Sequence, residues 1–191
     1  MIDFFSRLDQ IPDRLLSNSL LNSTNIGKEV AVYVFDYPPE RELILREYLK
    51  SLPDRLNKKS HHQLNIISIN IFEEIIHFFK DKNYYNKIVE MQKKRGNDVV
   101  QKGLSSILDD STIINIFKNI FKDQSFDLII MHGAGAAWPM IRMHSLLNII
   151  QPLIKQTPLI LFYPGTFDQL GLKLFNRLPS DNYYRAFQLL P

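Results

Sequence analysis

The 191-residue chain contains no cysteine. That removes disulfides, thiolate zinc sites and cysteine nucleophiles together, and it fits a reducing compartment. Long hydrophobic runs are missing too. None approaches the roughly 18–20 apolar residues that span a bilayer. The opening Met1 to Asp9 carries Asp3 and Asp9 within its apolar pattern, so it reads as an amphipathic helix rather than a secretory signal. A soluble, cytoplasmic protein is expected. Charge of one sign is scarce as well: 23 basic residues face 20 acidic ones, giving a net +3 with the signs interleaved. Net charge alone therefore does not mark a dedicated nucleic-acid binder. Gly-x-Ser-x-Gly is absent, which excludes the usual serine nucleophile elbow.

What is present is a core. At 45% hydrophobic, with 13 phenylalanines, the chain can bury substantial apolar surface, and one domain over residues 1–191 is expected. Val30 to Phe35 is β-branched and aromatic without charge, as suits a central strand covered on both faces. Asp36-Tyr37-Pro38-Pro39 closes it. Leu45, Tyr48, Leu49 and Leu52 then make a helical stripe that Pro53 is expected to stop. A polar loop from Asn57 to Gln63 leads to a second strand, Leu64 to Ile69. Asn70 and Glu73 form a capping box for the next helix. Tyr84 to Lys122 reads as wholly helical, with Gly96 and Asp109-Asp110-Ser111 as internal boundaries.

Strand character returns at Phe126 to Met131 and again at Leu159 to Tyr163, the latter expected to break at Pro164-Gly165. Between them Pro139 is expected at the first position of a helix whose face carries Met140, Met143, His144 and Leu147. Tyr183 to Leu190 reads as a last extended segment. Alternating strands and helices predict an α/β fold, with a mostly parallel central sheet, helices on both faces and a helical insertion in the middle third. The layering resembles P-loop and Rossmann folds without a Walker motif.

Candidate chemistry clusters after the third expected strand. His132-Gly133-Ala134-Gly135 is a glycine turn into a helix, the place where open parallel sheets hold anions. It lacks the Lys-Ser/Thr pair of a phosphate-gripping loop and the third glycine of a dinucleotide fingerprint. A tight, closely packed turn is the alternative. If the domain binds a nucleotide, Gly133, Gly135 and Asp36 are the residues expected to do it. Asp36-Tyr37-Pro38-Pro39 superficially resembles an adenine-methyltransferase motif, but its aromatic ring precedes the prolines and would stack from the wrong position. His132, Arg142 and His144 could gather at one strand end. With few carboxylates nearby, no metal site and no cofactor are expected, and His144 is read as a core histidine. Asn182-Tyr183-Tyr184-Arg185-Ala186-Phe187 packs aromatics around one arginine. It is either an interface anchor or a terminal strand packed on the sheet.

Five segments in this order resemble the BrxB family of bacterial phage-exclusion (BREX) systems. They are Tyr33 to Glu40, Gly133 to Asn148 with its Gly-Ala-Gly-Ala-Ala-Trp-Pro run, Pro158 to Asp168, Leu174 to Leu178, and Asn182 to Phe187. The resemblance implies a place in a defence system rather than a reaction. Such operons pair an adenine methyltransferase with a large ATPase and an alkaline-phosphatase-like protein, and the BrxB-like member is a small companion required for exclusion. No catalytic residue carries over, so no enzyme activity is expected.

The expected role is an adaptor that binds another BREX protein, the alkaline-phosphatase-like component foremost, through Trp138, Arg142, Tyr183, Tyr184 and Arg185. A degenerate nucleotide sensor is one alternative. A DNA-binding accessory using the lysine-rich stretch from Lys80 to Arg95 is another.

Overall fold

A computed structural model describes residues 3–21, 32–122, 124–154, 156–168, 171–179 and 186–191. Helix α1 (Phe4–Leu15) starts where Asp3 caps the free N–H groups of Phe5 and Ser6 at 2.9 and 3.2 Å, and it buries Leu8, Ile11 and Leu15. A short turn, α2 (Asn18–Leu21), follows. Strand β1 (Val32–Tyr37) and a 3-10 turn at Pro39–Arg41 lead into α3 (Glu42–Lys59). Then come β2 (Ile66–Asn70), α4 (Ile71–Asp81), α5 (Tyr85–Arg95), α6 (Asn97–Ile107) and α7 (Asp110–Phe121). The chain continues with β3 (Leu128–His132), the one-turn α8 (Ala134–Ala137), α9 (Met143–Ile150) and β4 (Leu159–Phe167). It ends in the short strands β5 (Leu172–Leu174), β6 (Leu178–Pro179) and β7 (Phe187–Gln188).

The sheet runs β2-β3-β4-β1-β7 with every neighbouring pair parallel, as expected of an α/β fold. Alternation along the strands divides its apolar residues between two cores. Tyr33, Phe35 and Tyr37 of β1 join Ile160 and Phe162 of β4 beneath α1 and α3. Val32, Val34, Leu159 and Leu161 face the other way, against α4, α6, α7 and α9. The helical middle third lies between β2 and β3. Val100, Leu104, Ile113 and Phe117 bind it to that second core.

Three prolines do something other than the sequence predicts. Pro53 does not end its helix, because α3 runs through it to Lys59. One missing hydrogen bond is tolerated where Leu52 and Leu56, on either side, are fully buried against the sheet. The polar loop is correspondingly shorter, and Asn57 latches it by accepting from the Leu64 N–H at 2.7 Å. Pro164 does not break β4. It falls opposite Tyr37 on the last rung of the β1 pairing, where a ladder donor is dispensable. Beyond it the strand changes partner, and Gly165 to Phe167 pair antiparallel with β5. Pro139 is not the first residue of a helix. It follows a cis Trp138–Pro139 bond in the turn between α8 and α9. The expected strand edges also move: β1 is Val32–Tyr37, with Val30 and Ala31 outside the described residues, and β2 begins at Ile66.

An ionic contact fastens α1 to the sheet. Arg7 donates to Asp36 Oδ1 at 2.7 Å and to the Asp36 carbonyl at 2.8 Å, with each side chain only 13% exposed. Its guanidinium also lies over the Phe35 ring, 4.6 Å from the centroid. Removing one partner would strand the other in a poorly solvated place. Asp36→Ala is therefore expected to cost about 3 kcal/mol in urea unfolding, in the range for a broken buried pair. Lys50→Ala, which breaks the exposed Lys50–Glu47 pair, should cost under about 0.5 kcal/mol.

Candidate functional site

The carboxyl ends of β1, β3 and β4 meet at one edge of the sheet, where parallel α/β folds place ligands. The glycine turn after β3 sits there, and its shape is set by packing. Gly133 is left-handed, with φ of 81°, and a Cβ on it would fall 2.2 Å from Asn70 Oδ1. Asn70 is held in that position by its own work. It accepts from the Glu73 N–H at the start of α4, and its amide donates to Glu73 Oε1 at 2.7 Å. The reciprocal half of the expected capping box thus comes from the Asn70 side chain rather than its backbone. A Cβ on Gly135 would fall 2.9 Å from the Phe175 ring and 3.0 Å from Pro164.

Asp36 is committed in the same sense. Its second oxygen accepts from the Phe167 N–H at 3.1 Å, so both oxygens serve the fold. The structure therefore occupies Asp36, Gly133 and Gly135 separately. Among the described residues they are not gathered around an open nucleotide cradle.

Two environments flank this turn. One is a polar cluster that sequence reasoning missed. Buried Tyr37 donates a short hydrogen bond to Glu42, and Glu42 accepts from Arg46 Nε at 2.7 Å. Burial, and then the Glu42 carboxylate, push the Tyr37 hydroxyl far above its ordinary pKa, so it stays a neutral donor. His132 lies in the field of Glu42, Glu73 and Arg46, and its Nδ1 has no partner among the described residues. Desolvation holds its pKa below the ordinary value despite the two carboxylates. The i,i+4 spacing of Glu42 and Arg46 was visible in the sequence. Their closeness to Tyr37 and His132 was not.

The other environment is a cleft of about 370 Å³. Trp138 and Arg142, both expected to touch a partner, line it together with His144, Tyr163, Leu174 and Leu178. Trp138 is 43% exposed and Leu178 37%, while Tyr163 is buried. Burial raises the Tyr163 pKa, so that hydroxyl too stays neutral. Among the described residues no acidic side chain lines the cleft, and the ionisable lining groups are Arg142, His144 and that hydroxyl. His144, expected as a core histidine, is half-buried here, with Ser145 Oγ 3.1 Å from its ring Nε2. It joins Arg142 in the cleft, whereas His132 belongs to the polar cluster. Tyr183, Tyr184 and Arg185 lie outside the described residues. Next to them Phe187 is 41% exposed and lies 5.8 Å from the Tyr33 ring. Among the described residues no three His, Asp or Glu side chains converge as metal ligands. No described helix is long and apolar enough to cross a membrane.

If Gly135 is a packing glycine, Gly135→Ala should destabilise the fold by about 1–3 kcal/mol in denaturant unfolding. An unchanged midpoint would mean that the turn has room to spare. The depressed pKa of His132 means that the unfolded chain binds its proton more readily than the native one. Its stability contribution is therefore complete above about pH 6.5 and is lost as pH falls below that value. His132→Asn should flatten thermal stability between pH 7 and 5 relative to the wild type, as read from melting curves across that window.

A family profile described as "BREX protein BrxB" matches residues 67–189. A BREX protein BrxB of Bacillus cereus (strain H3081.97) is 32% identical over 188 residues, covering 96% of each chain. Another BREX protein BrxB, from Escherichia coli O9:H4 (strain HS), is 33% identical over 185 residues, covering 97% of this chain and 90% of its own. No solved structure matches significantly. With near full-length matches to two such proteins, the chain belongs to the BrxB family and is a component of a BREX antiviral defence system.

Proposed function

We propose that this BrxB protein is a non-catalytic adaptor that docks another BREX protein, the alkaline-phosphatase-like component, on the surface around Trp138 and Arg142. One observation carries the reading. A half-exposed tryptophan and an exposed arginine, 4 residues apart, open onto the same apolar-floored cleft. Aromatic and arginine anchors over a pocket are the features that dominate protein interfaces. The lining, with Arg142 and no acidic side chain among the described residues, favours a partner segment that offers a carboxylate beside an apolar side chain. Tyr183, Tyr184 and Arg185 are assigned to the same docking surface on sequence grounds.

The absence of catalysis is part of the proposal. Its support is that Asp36, the carboxylate at the end of the central strand, is spent on Arg7 and the Phe167 N–H. The nucleotide-sensor alternative gains no support from geometry, because side chains fill the space beside Gly133 and Gly135.

Co-expression with the phosphatase-like component, followed by pull-down and size-exclusion chromatography, should recover a stable complex. Trp138→Ala and Arg142→Ala should each weaken it about tenfold or more, as truncation of an interface anchor does. Arg185→Ala should weaken it as well. The same variants should lose phage exclusion in plating assays while keeping the wild-type melting temperature. Clean separation of the two proteins at micromolar concentration would defeat the assignment, and capture of the methyltransferase or the ATPase instead would redirect it.

A further inference from the structure

The near-neutral charge of the whole chain conceals a local concentration. Residues 80–102 hold seven cations, Lys80, Lys82, Lys87, Lys93, Lys94, Arg95 and Lys102, against Asp81, Glu90 and Asp98. That is a surplus of four in a chain whose total is +3, so the other residues, with sixteen cations against seventeen anions, carry a net −1.

The structure gives this segment a shape. Helix α5 has no buried residue. Ile88 and Met91 lean on the core and hold its inner face. Asn86, Glu90 and Lys93 lie on the opposite face, and Lys87 and Lys94 flank the packed edge, all five exposed. Glu90 neutralises little of it, since its pairing with Lys94 is 3.6 Å long and both side chains are more than two-thirds exposed. Helix C-termini attract a cation or two through the macrodipole. Six cations in the sixteen residues from Lys80 to Arg95 exceed that need.

We propose that the outer face of α5, with the turn joining it to α4, binds the sugar-phosphate backbone of nucleic acid without sequence preference. This is a surface separate from the Trp138–Arg142 cleft. The charge is complementary to phosphate, and exposed Tyr84 and Tyr85 at the start of the helix supply ring faces, with Lys80 5.6 Å from the Tyr85 centroid. An anionic membrane fits less well. A surface-lying helix needs an apolar face for the lipid, and Ile88 and Met91 of α5 are turned to the core.

The test uses fluorescence anisotropy of the full-length protein with labelled random-sequence 30-mer DNA, duplex and single-stranded, from 50 to 200 mM KCl. Wild-type protein should bind at least one form, with affinity falling steeply as salt rises. The triple variant K87Q/K93Q/K94Q should bind at least tenfold more weakly at 50 mM. If all three cations touch phosphate, its log–log salt slope should be shallower by about 2–3, at roughly 0.7–0.9 per phosphate contact. K50Q/K58Q/K118Q removes the same charge from exposed sites on α3 and α7, and it should stay within twofold of wild type. The single reversal K93E provides a second reading should the triple variant be poorly folded by circular dichroism. Equal weakening by the two triple variants would reduce the effect to net charge and overturn the proposal. So would failure to bind either DNA form at 50 mM, or α5-dependent binding to phosphatidylglycerol vesicles without binding to DNA.

Discussion

The Arg7–Asp36 pair is the joint at which distant parts of the chain are fixed to one another. Arg7 comes from the first helix and Asp36 from the end of the central strand. Through Asp36 Oδ2 the contact reaches the Phe167 N–H at the far end of β4, and Arg7 Nη2 reaches the Leu190 carbonyl at 3.3 Å beside the C-terminus. Four segments separated by up to 183 positions thus share one charge-assisted network. A carboxylate at a strand end in this fold would ordinarily suggest ligand chemistry. Here it is consumed in assembly, and that decides how the rest of the edge reads.

With Asp36 closed off and the two glycines packed against Asn70, Phe175 and Pro164, the carboxyl edge loses the features of a nucleotide cradle. It keeps a surface character. On one side the Tyr37–Glu42–Arg46 cluster satisfies most of its own hydrogen bonds and holds His132 in a desolvated place. On the other, α8 and the turn after it hold out Trp138 and Arg142 beside a cleft floored by Tyr163 and leucines. This arrangement is one that the proposed adaptor role would use. Interface energy resides in a few large anchors over a pocket, and such anchors need rigid support more than they need reactive groups.

The insertion between β2 and β3 shows a second division of labour. Helices α4, α6 and α7 bury residues in the sheet-facing core, whereas α5 rides on them with its outer face free among the described residues. A helix that adds little to the core is at liberty to carry charge. The lysines there cost no desolvation and leave the balance of the remaining chain almost neutral.

Much of this was legible in the residues. The apolar runs at β1, β3 and β4 marked a buried parallel sheet because strands covered on both faces tolerate no polar alternation. Asn70, Gly96 and Asp109 marked helix boundaries because their chemistry is local, acting within three or four residues. The prolines were misread for the same reason turned around. Pro53 and Pro164 are breakers by local rule, yet burial of Leu52 and Leu56, and a place on the last rung of the β1 pairing, outweighed one lost hydrogen bond each. Sequence also singled out Trp138 and Arg142, since large aromatic and arginine side chains are recognisable by type. It could not show that they share one cleft with His144 and Leu178, that Asp36 belongs to Arg7, or that Gly135 is reserved for Phe175 and Pro164. Apart from His144, a near neighbour of Arg142, those are meetings between residues about 30 to 40 positions apart. Local propensity and periodicity carry no record of such distances, and only the closure of the sheet and its helices brings the partners together.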